Sequence, residues 1–237
     1  MSSPDVTLVA ALAQVGRLER ITLGERVYEE LRDLIIGGDL APGDKLSLRS
    51  VADTLGVSIM PVREAVSRLV ADEALEVLPN RAVTVPVMTG SKFRELTRIR
   101  LVIECFAAEQ AALNCSPAEL RVIGAFDAAF RREARSDEPD PKRAVRANKD
   151  LHFAIYRASR MPSLVGIIEG LWLKIGPVLN LDLRVSPDRL AHGGAEAHHA
   201  RAVAAIEARD GRAAQAAISA DIEGAAAFIE ATGRLAL

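Results

Sequence analysis

Aromatic side chains are scarce in this chain: Phe, Trp and Tyr make up 4% of its 237 residues, with a single Trp. Strand-rich domains draw on aromatic and β-branched residues, so a chain poor in aromatics and rich in Ala and Leu favours helix. Cysteine is sparser still, with only Cys105 and Cys115. Their spacing is not CxxC, which excludes a dithiol redox pair and a thiolate metal site and leaves buried small hydrophobes in a reducing compartment. No run reaches the roughly 18 apolar residues needed to span a bilayer. The start, Met1-Ser2-Ser3-Pro4-Asp5, lacks the basic segment of a secretory signal. A soluble, cytoplasmic protein without a membrane partner is expected. Positive charge is also lacking: residues 1–88 hold 9 Lys and Arg against 13 Asp and Glu, a net −4, and residues 89–237 hold 21 against 19, a net +2. Any contact with nucleic acid must therefore rest on where individual arginines sit, not on a basic footprint.

What is present is an ordinary globular balance, 49% hydrophobic and 26% charged, enough for two modest domains at roughly 100 to 200 residues each. Residues 1–20 carry no turn-bounded period and read as a mobile arm. From Thr22 to Ile36, Val27, Leu31, Leu34 and Ile35 share one helical face, and Gly37-Gly38 supplies a stop. Ser47 can cap a second helix in which Leu48, Val51, Ala52 and Leu55 face inward until Gly56 ends it. Pro61 suits the first turn of a third helix, followed by Val62, Ala65, Val66 and Leu69. Around Pro79-Asn80-Arg81 the period changes to the alternation of Leu75, Val77, Val83 and Val85, the pattern of a small β-hairpin. The breakers near Met88 to Ser91 divide residues 21–88 from 91–237. Beyond them the spacing predicts helices near 91–114, 117–135, 141–159, 163–180, 188–209 and 211–231, with breaks such as Ser186-Pro187 and a loop at His192. The fold class is mostly α, a winged helix-turn-helix followed by an all-α bundle.

Two short helices joined by a Gly turn form a helix-turn-helix, whose second helix enters the DNA major groove. Here Ser58, Arg63, Ser67 and Arg68 face outward from that helix, Arg49 points to the same side, and Arg81 stands at the hairpin tip. Arg63 can fork onto guanine or onto a phosphate. The stretch Ser47-Leu48-Arg49 to Leu55-Gly56-Val57-Ser58-Ile59-Met60-Pro61-Val62-Arg63-Glu64-Ala65 resembles the signature of the GntR transcriptional regulators, in the FadR-like branch with a helical FCD effector-binding domain. The resemblance runs from about Thr22 to Ile229. It departs at Ile59, where the family usually has Arg, and at Ala82, where it usually has Gly.

Four polar residues in the second domain ask for a chemical reason. Asn148 and His152 share a helix face, His199 is in line with Val203 and Ile206, and Asp221 interrupts an apolar stripe between Ile218 and Ala225. A carboxylate buried there without a partner would cost several kcal/mol. Satisfied core histidines and a helix-end Asp are one explanation, and a divalent metal held by imidazole and carboxylate is the other. FCD domains typically use an Asp and three His in the order D-x3-H, H, H. The matching positions are Asn148, His152, His199 and Asp221, so two of the four ligands have changed. The resemblance implies a divalent transition metal, zinc or nickel, on His152, His199 and Asp221, with Asn148 marginal. It also implies that Arg100 faces an effector; from the residues alone Arg100 equally suits an i to i+4 pair with Glu104. His198, a step round the helix from His199, reads as solvated or as a neighbour of the ligands.

The expected function is a homodimeric regulator, most simply a repressor, that binds double-stranded operator DNA and answers to a small carboxylate effector. A metal-dependent hydrolase on the bundle and a metal-sensing regulator are the alternatives. The hydrolase lacks a separate general base and any Ser/His/Asp order.

Overall fold

The computed structural model describes residues 22–185, 190, 194–233, 235 and 236. The arm expected over 1–20, the Ser186-Pro187 break, the helix start placed at 188 and His192 lie outside the described residues. Thr22 opens the described chain by accepting a hydrogen bond from the Glu25 N–H at 3.0 Å, which caps α1 (Leu23–Ile36). Val27, Leu31 and Ile35 of α1 are buried as expected, whereas Leu34, at the edge of that stripe, is 41% exposed. Ser47 caps α2 (Leu48–Leu55), and Gly56 closes it at φ +64°. Ala52 is the buried residue of this short helix, so Leu55 at its end is left 41% exposed rather than turned inward. α3 (Ile59–Ala71) carries Pro61 in its first turn, where a missing N–H costs nothing, and buries Val62, Ala65, Val66 and Leu69.

The hairpin forms as read, β2 (Glu76–Val77) antiparallel to β3 (Val83–Thr84). A further strand that the sequence did not announce, β1 (Lys45–Leu46), pairs with the other edge of β3, giving the order β1-β3-β2. Two residues are too few to show a period. At the tip Arg81 takes φ +64° and the Asn80 carboxamide oxygen accepts the Ala82 N–H, so the turn closes without a glycine.

The helical part comprises α4 (Gly90–Asn114), α5 (Pro117–Ala134), α6 (Pro141–Ala158), α7 (Pro162–Val185), α8 (Ala195–Glu207) and α9 (Gly211–Ala231). Side chains of Thr89, Ser116, Asp140 and Asp210 accept from the first turns of α4, α5, α6 and α9, and Ser116 forms a reciprocal capping box with Glu119. One boundary differs from expectation. α7 runs through Pro177 and continues past 180 to Val185, since neither Gly nor Pro stands between Asn180 and Ser186-Pro187. α8 follows Gly194, which sits at φ +75°.

α7 also corrects the statement that no segment could span a bilayer. Pro162–Asn180 is long and apolar enough by length and composition, with mean hydropathy 1.3, but half of that stretch is buried inside the protein. It packs on α1, α4, α6 and α9, and a helix covered on several sides needs an apolar surface.

The same helix fastens the N-terminal part to the bundle. The Asn180 amide donates to the Ile36 carbonyl at 2.6 Å, just where α1 ends. Lys174 pairs with Glu73 at 3.1 Å and Glu169 approaches Arg32 at 3.8 Å. On the opposite side of the connection, Ala236 bridges Met88 and Gly90 through two backbone hydrogen bonds of 3.0 Å. Gly38 sits at φ +70°, and a Cβ there would lie 2.0 Å from the Asn180 Cβ. Gly38→Ala is therefore expected to lower stability by about 2–4 kcal/mol, the sum of left-handed strain and overpacking. Urea unfolding measures it, and a change below about 0.5 kcal/mol would show that the junction yields freely.

Candidate functional site

The outer face of the helix-turn-helix carries the arginines named from sequence. Arg49, Ser58, Arg63, Ser67 and Arg81 are exposed. Among the described residues, Arg49, Arg63 and Arg81 make no ion pair. Arg68 is already occupied. Its guanidinium pairs with Glu25 at 2.7 Å and lies 3.9 Å over the Tyr28 ring, bolting α3 to α1. Ile59 and Met60 stand at the opening of α3, 37% and 67% exposed, so the start of that helix presents an apolar surface.

In the bundle the structure brings three of the predicted residues together. His152 from α6, His199 from α8 and Asp221 from α9 are buried, and one ligand atom from each lies within 4.8 Å of the others. Asp221 stands between the imidazoles, its two oxygens 3.2 Å from His152 Nε2 and 3.5 Å from His199 Nε2. Burial pushes the Asp221 carboxyl up, but the charge of His199 and the close contacts with both imidazoles outweigh it and hold the group well below the usual carboxylate range. Both ring nitrogens of His199 are buried without a hydrogen-bond partner among the described residues. Orphaned polar atoms of this kind are costly and call for an unseen partner. A divalent ion fits. Ligand atoms at about 2.0–2.2 Å from a tetrahedral centre lie about 3.3–3.6 Å from one another, close to the contacts Asp221 makes with each imidazole. Asn148, half-buried one turn before His152, is not part of this trio. Half-buried His198 touches Arg201, and burial lowers its pKa.

Arg100 adopts the pairing with Glu104 rather than an open position. Its Nε and one terminal nitrogen reach the two Glu104 oxygens at 2.5 and 3.0 Å, with both side chains buried. Two residues that sequence reasoning did not single out complete the surroundings. The Tyr156 hydroxyl donates to Glu104 at 2.6 Å and lies 2.8 Å from His152 Nδ1. Burial and the Glu104 charge push its pKa far above the ordinary phenol range. Trp172 of α7 packs its ring 5.4 Å from that of His152 and 5.3 Å from the Arg100 guanidinium carbon, and its buried Nε1–H has no partner among the described residues. The available signal for Tyr156 was its place one turn after His152 on the same face. For Trp172 the sequence held none.

Because Trp172 is the only tryptophan, its emission reports on this site alone. An imidazole is a contact quencher of indole, and metal ligation alters it. Titrating zinc into the metal-free protein is expected to change Trp172 emission with saturation near one equivalent, and His152→Ala should abolish the change. An unaltered spectrum in the unsubstituted protein would contradict this placement.

Comparison with known proteins agrees with this architecture. Residues 23–85 match the bacterial regulatory proteins of the gntR family, and residues 95–224 match the FCD domain. The HTH-type transcriptional regulator McbR of Escherichia coli K12 is 34% identical over 165 residues, covering 70% of this chain and 74% of McbR. The solved McbR structure superimposes with a TM-score of 0.81 at 29% identity, over 90% of this chain and all of that one. A GntR regulator from Rhodococcus sp. RHA1 superimposes with a TM-score of 0.70 at 26% identity, over 88% and 97% of the two chains. The HTH-type transcriptional repressor RspR of Escherichia coli K12 is 33% identical over 90 residues, 38% of this chain and 40% of RspR. These relatives are transcriptional regulators, which sets the hydrolase alternative aside. With its helix-turn-helix, its wing and its helical partner domain, the chain belongs to the GntR family of DNA-binding transcriptional regulators and carries an FCD effector-binding domain.

Proposed function

We propose that this regulator is a homodimeric cytoplasmic repressor whose FCD domain holds a divalent transition metal, zinc or nickel, and on it a small organic acid. The observation that carries the reading is the convergence of His152, His199 and Asp221 around two orphaned imidazole nitrogens. Three protein ligands leave coordination positions open. A carboxylate entering there would meet the metal and, at its edge, the unpaired Trp172 Nε1–H. Arg100, engaged with Glu104, supports the site from behind. When bound, the metal supplies a fixed positive charge that attracts an oxygen ligand; the protein residues select which oxygen ligand fits.

Two features support a switch. Trp172 lies beside the site and Asn180 beside the end of α1, on one helix, so a ligand that shifts α7 acts on the element holding the DNA-binding domain. Linkage then requires operator DNA to weaken or strengthen effector binding by the same factor. Two-fold symmetry is supported by α4, where Ile99, Val102, Phe106 and Leu113 recur at intervals of three, four and seven and are 39–70% exposed. Such a stripe suits pairing with its own copy. The repressor assignment follows RspR, whose name describes a repressor.

On the DNA side, Arg63→Ala is expected to cost about 1–3 kcal/mol of operator affinity and to flatten its salt dependence. Arg68→Ala should cost less, because Arg68 is spent on Glu25 and Tyr28, and Val102→Glu should yield monomers that lose operator binding. Fluorescence anisotropy at several salt concentrations, with sedimentation of each variant, reads all three. An unchanged Arg63→Ala would remove that residue from the interface. Metal alone altering operator affinity, with no acid present, would make the ion the effector.

A further inference from the structure

We infer that Glu104 and Tyr156 are positioning residues that fix the proton of His152 on Nδ1 and so aim its Nε2 lone pair at the metal position. The inference rests on the metal reading above and deepens it. Each step follows from donor and acceptor capacity. Glu104 accepts both Arg100 contacts, at 2.5 and 3.0 Å, and a carboxylate held this way by a guanidinium has only acceptor capacity left. The Tyr156 hydroxyl owns one proton, and at 2.6 Å that proton goes to Glu104 Oε2. What the hydroxyl presents to His152 Nδ1 at 2.8 Å is therefore a lone pair. His152 must answer with an N–H on Nδ1, and a neutral ring then carries its lone pair on Nε2.

That lone pair faces an acceptor. His152 Nε2 lies 3.2 Å from Asp221 Oδ2, and in the neutral ring, with its proton on Nδ1, neither atom has a hydrogen to offer; only a second proton on Nε2 or a metal ion in its place relieves the contact. Two lone pairs turned toward each other in a buried site are what a cation relieves. Arg100, Glu104, Tyr156 and His152 thus form one directed chain across α4 and α6, all of it buried, with the guanidinium at one end setting the ring orientation at the other. It supplies the partner that metal-bound imidazoles take on their second nitrogen. It also accounts for Arg100 being turned to Glu104: the guanidinium keeps Glu104 an acceptor, and reversing any one donor would reverse the rest. Among the described residues His199 has no such partner on its second nitrogen, so His152 is the imidazole whose tautomer these contacts dictate.

The test is long-range 1H–15N correlation of 15N-histidine-labelled full-length protein, metal-free and zinc-loaded, with His152 assigned from its loss in His152→Ala. The expected result is a protonated Nδ1 in both samples and a zinc-bound Nε2 in the second. Tyr156→Phe keeps the ring volume and removes the acceptor; zinc Kd is expected to weaken about 10–100-fold, with His152 losing its fixed Nδ1 proton. Glu104→Gln, whose amide can donate to the Tyr156 oxygen, should turn the hydroxyl proton toward His152 and weaken zinc at least as much. Circular dichroism confirms that each variant is folded. A bare Nδ1 on His152 in the unsubstituted protein overturns the inference, as does a Tyr156→Phe protein whose His152 shifts and zinc Kd, within twofold, match the unsubstituted protein. Should the unsubstituted protein take up no zinc, the metal reading fails by itself, and the metal-free spectrum still decides the proton's place.

Discussion

Buried charge is the constraint around which the helical domain is organised. Arg100 and Glu104 of α4, Tyr156 and His152 of α6, His199 of α8 and Asp221 of α9 form a polar core with almost no access to solvent. The remaining helices close it: Trp172 of α7 packs against His152, and Phe130 of α5 sets its ring 4.7 Å from His199, edge to face. Moving charges out of water costs several kcal/mol per ion, recovered only where geometry is good and remaining donors and acceptors are met. On the Arg100 side that condition holds, with a bidentate pair and a tyrosine hydroxyl. On the His199 side it does not, since both ring nitrogens lack hydrogen-bond partners among the described residues. A polar core satisfied on one side and left short on the other leaves donor atoms for something that binds, and imidazole nitrogens beside a carboxylate are the donor set a divalent ion takes.

From this core the structure leads outward along α7. Residues three and four apart share a helix face, so Trp172 and Gly176, and then Asn180, follow one line from the polar core to the end of α1. Gly176 approaches the Ile36 carbonyl closely enough that a Cβ would stand 3.2 Å from it. The junction is thus backbone against helix, with little slack. A packed element that touches both places is the physical means by which a ligand at the polar core would reach the DNA-binding domain, and α7 touches both.

Most of the architecture was legible in the sequence because its signals are local. Ser47 and Gly56 delimit α2, Pro117 and Pro141 begin α5 and α6, and the 3.6-residue period of Val27, Leu31 and Ile35 identifies the buried face of α1. Failures fell where local signals are weak or compete: β1 is two residues long, Leu34 and Leu55 sit at the edges of their stripes, and α7 is apolar on several faces because it is covered on several sides. His152, His199 and Asp221 could be named because polar residues on apolar stripes are costly. Their mutual placement, and the parts played by Tyr156 and Trp172, depend on contacts between residues 20 to 72 positions apart in sequence that no local pattern encodes. Arg100 and Arg68 show the converse. Each was named for a ligand it could meet, and each is held by a carboxylate of the same chain.

The central claim is that the polar core exists to hold a metal, and the most direct measurement is the metal content of protein purified without added metal or chelator. Elemental mass spectrometry of the unsubstituted chain should find about one zinc or nickel ion per protomer, and His199→Ala should lose it. A metal-free chain that stays metal-free after reconstitution would contradict the claim and leave His152, His199 and Asp221 as a buried ion cluster serving the fold alone.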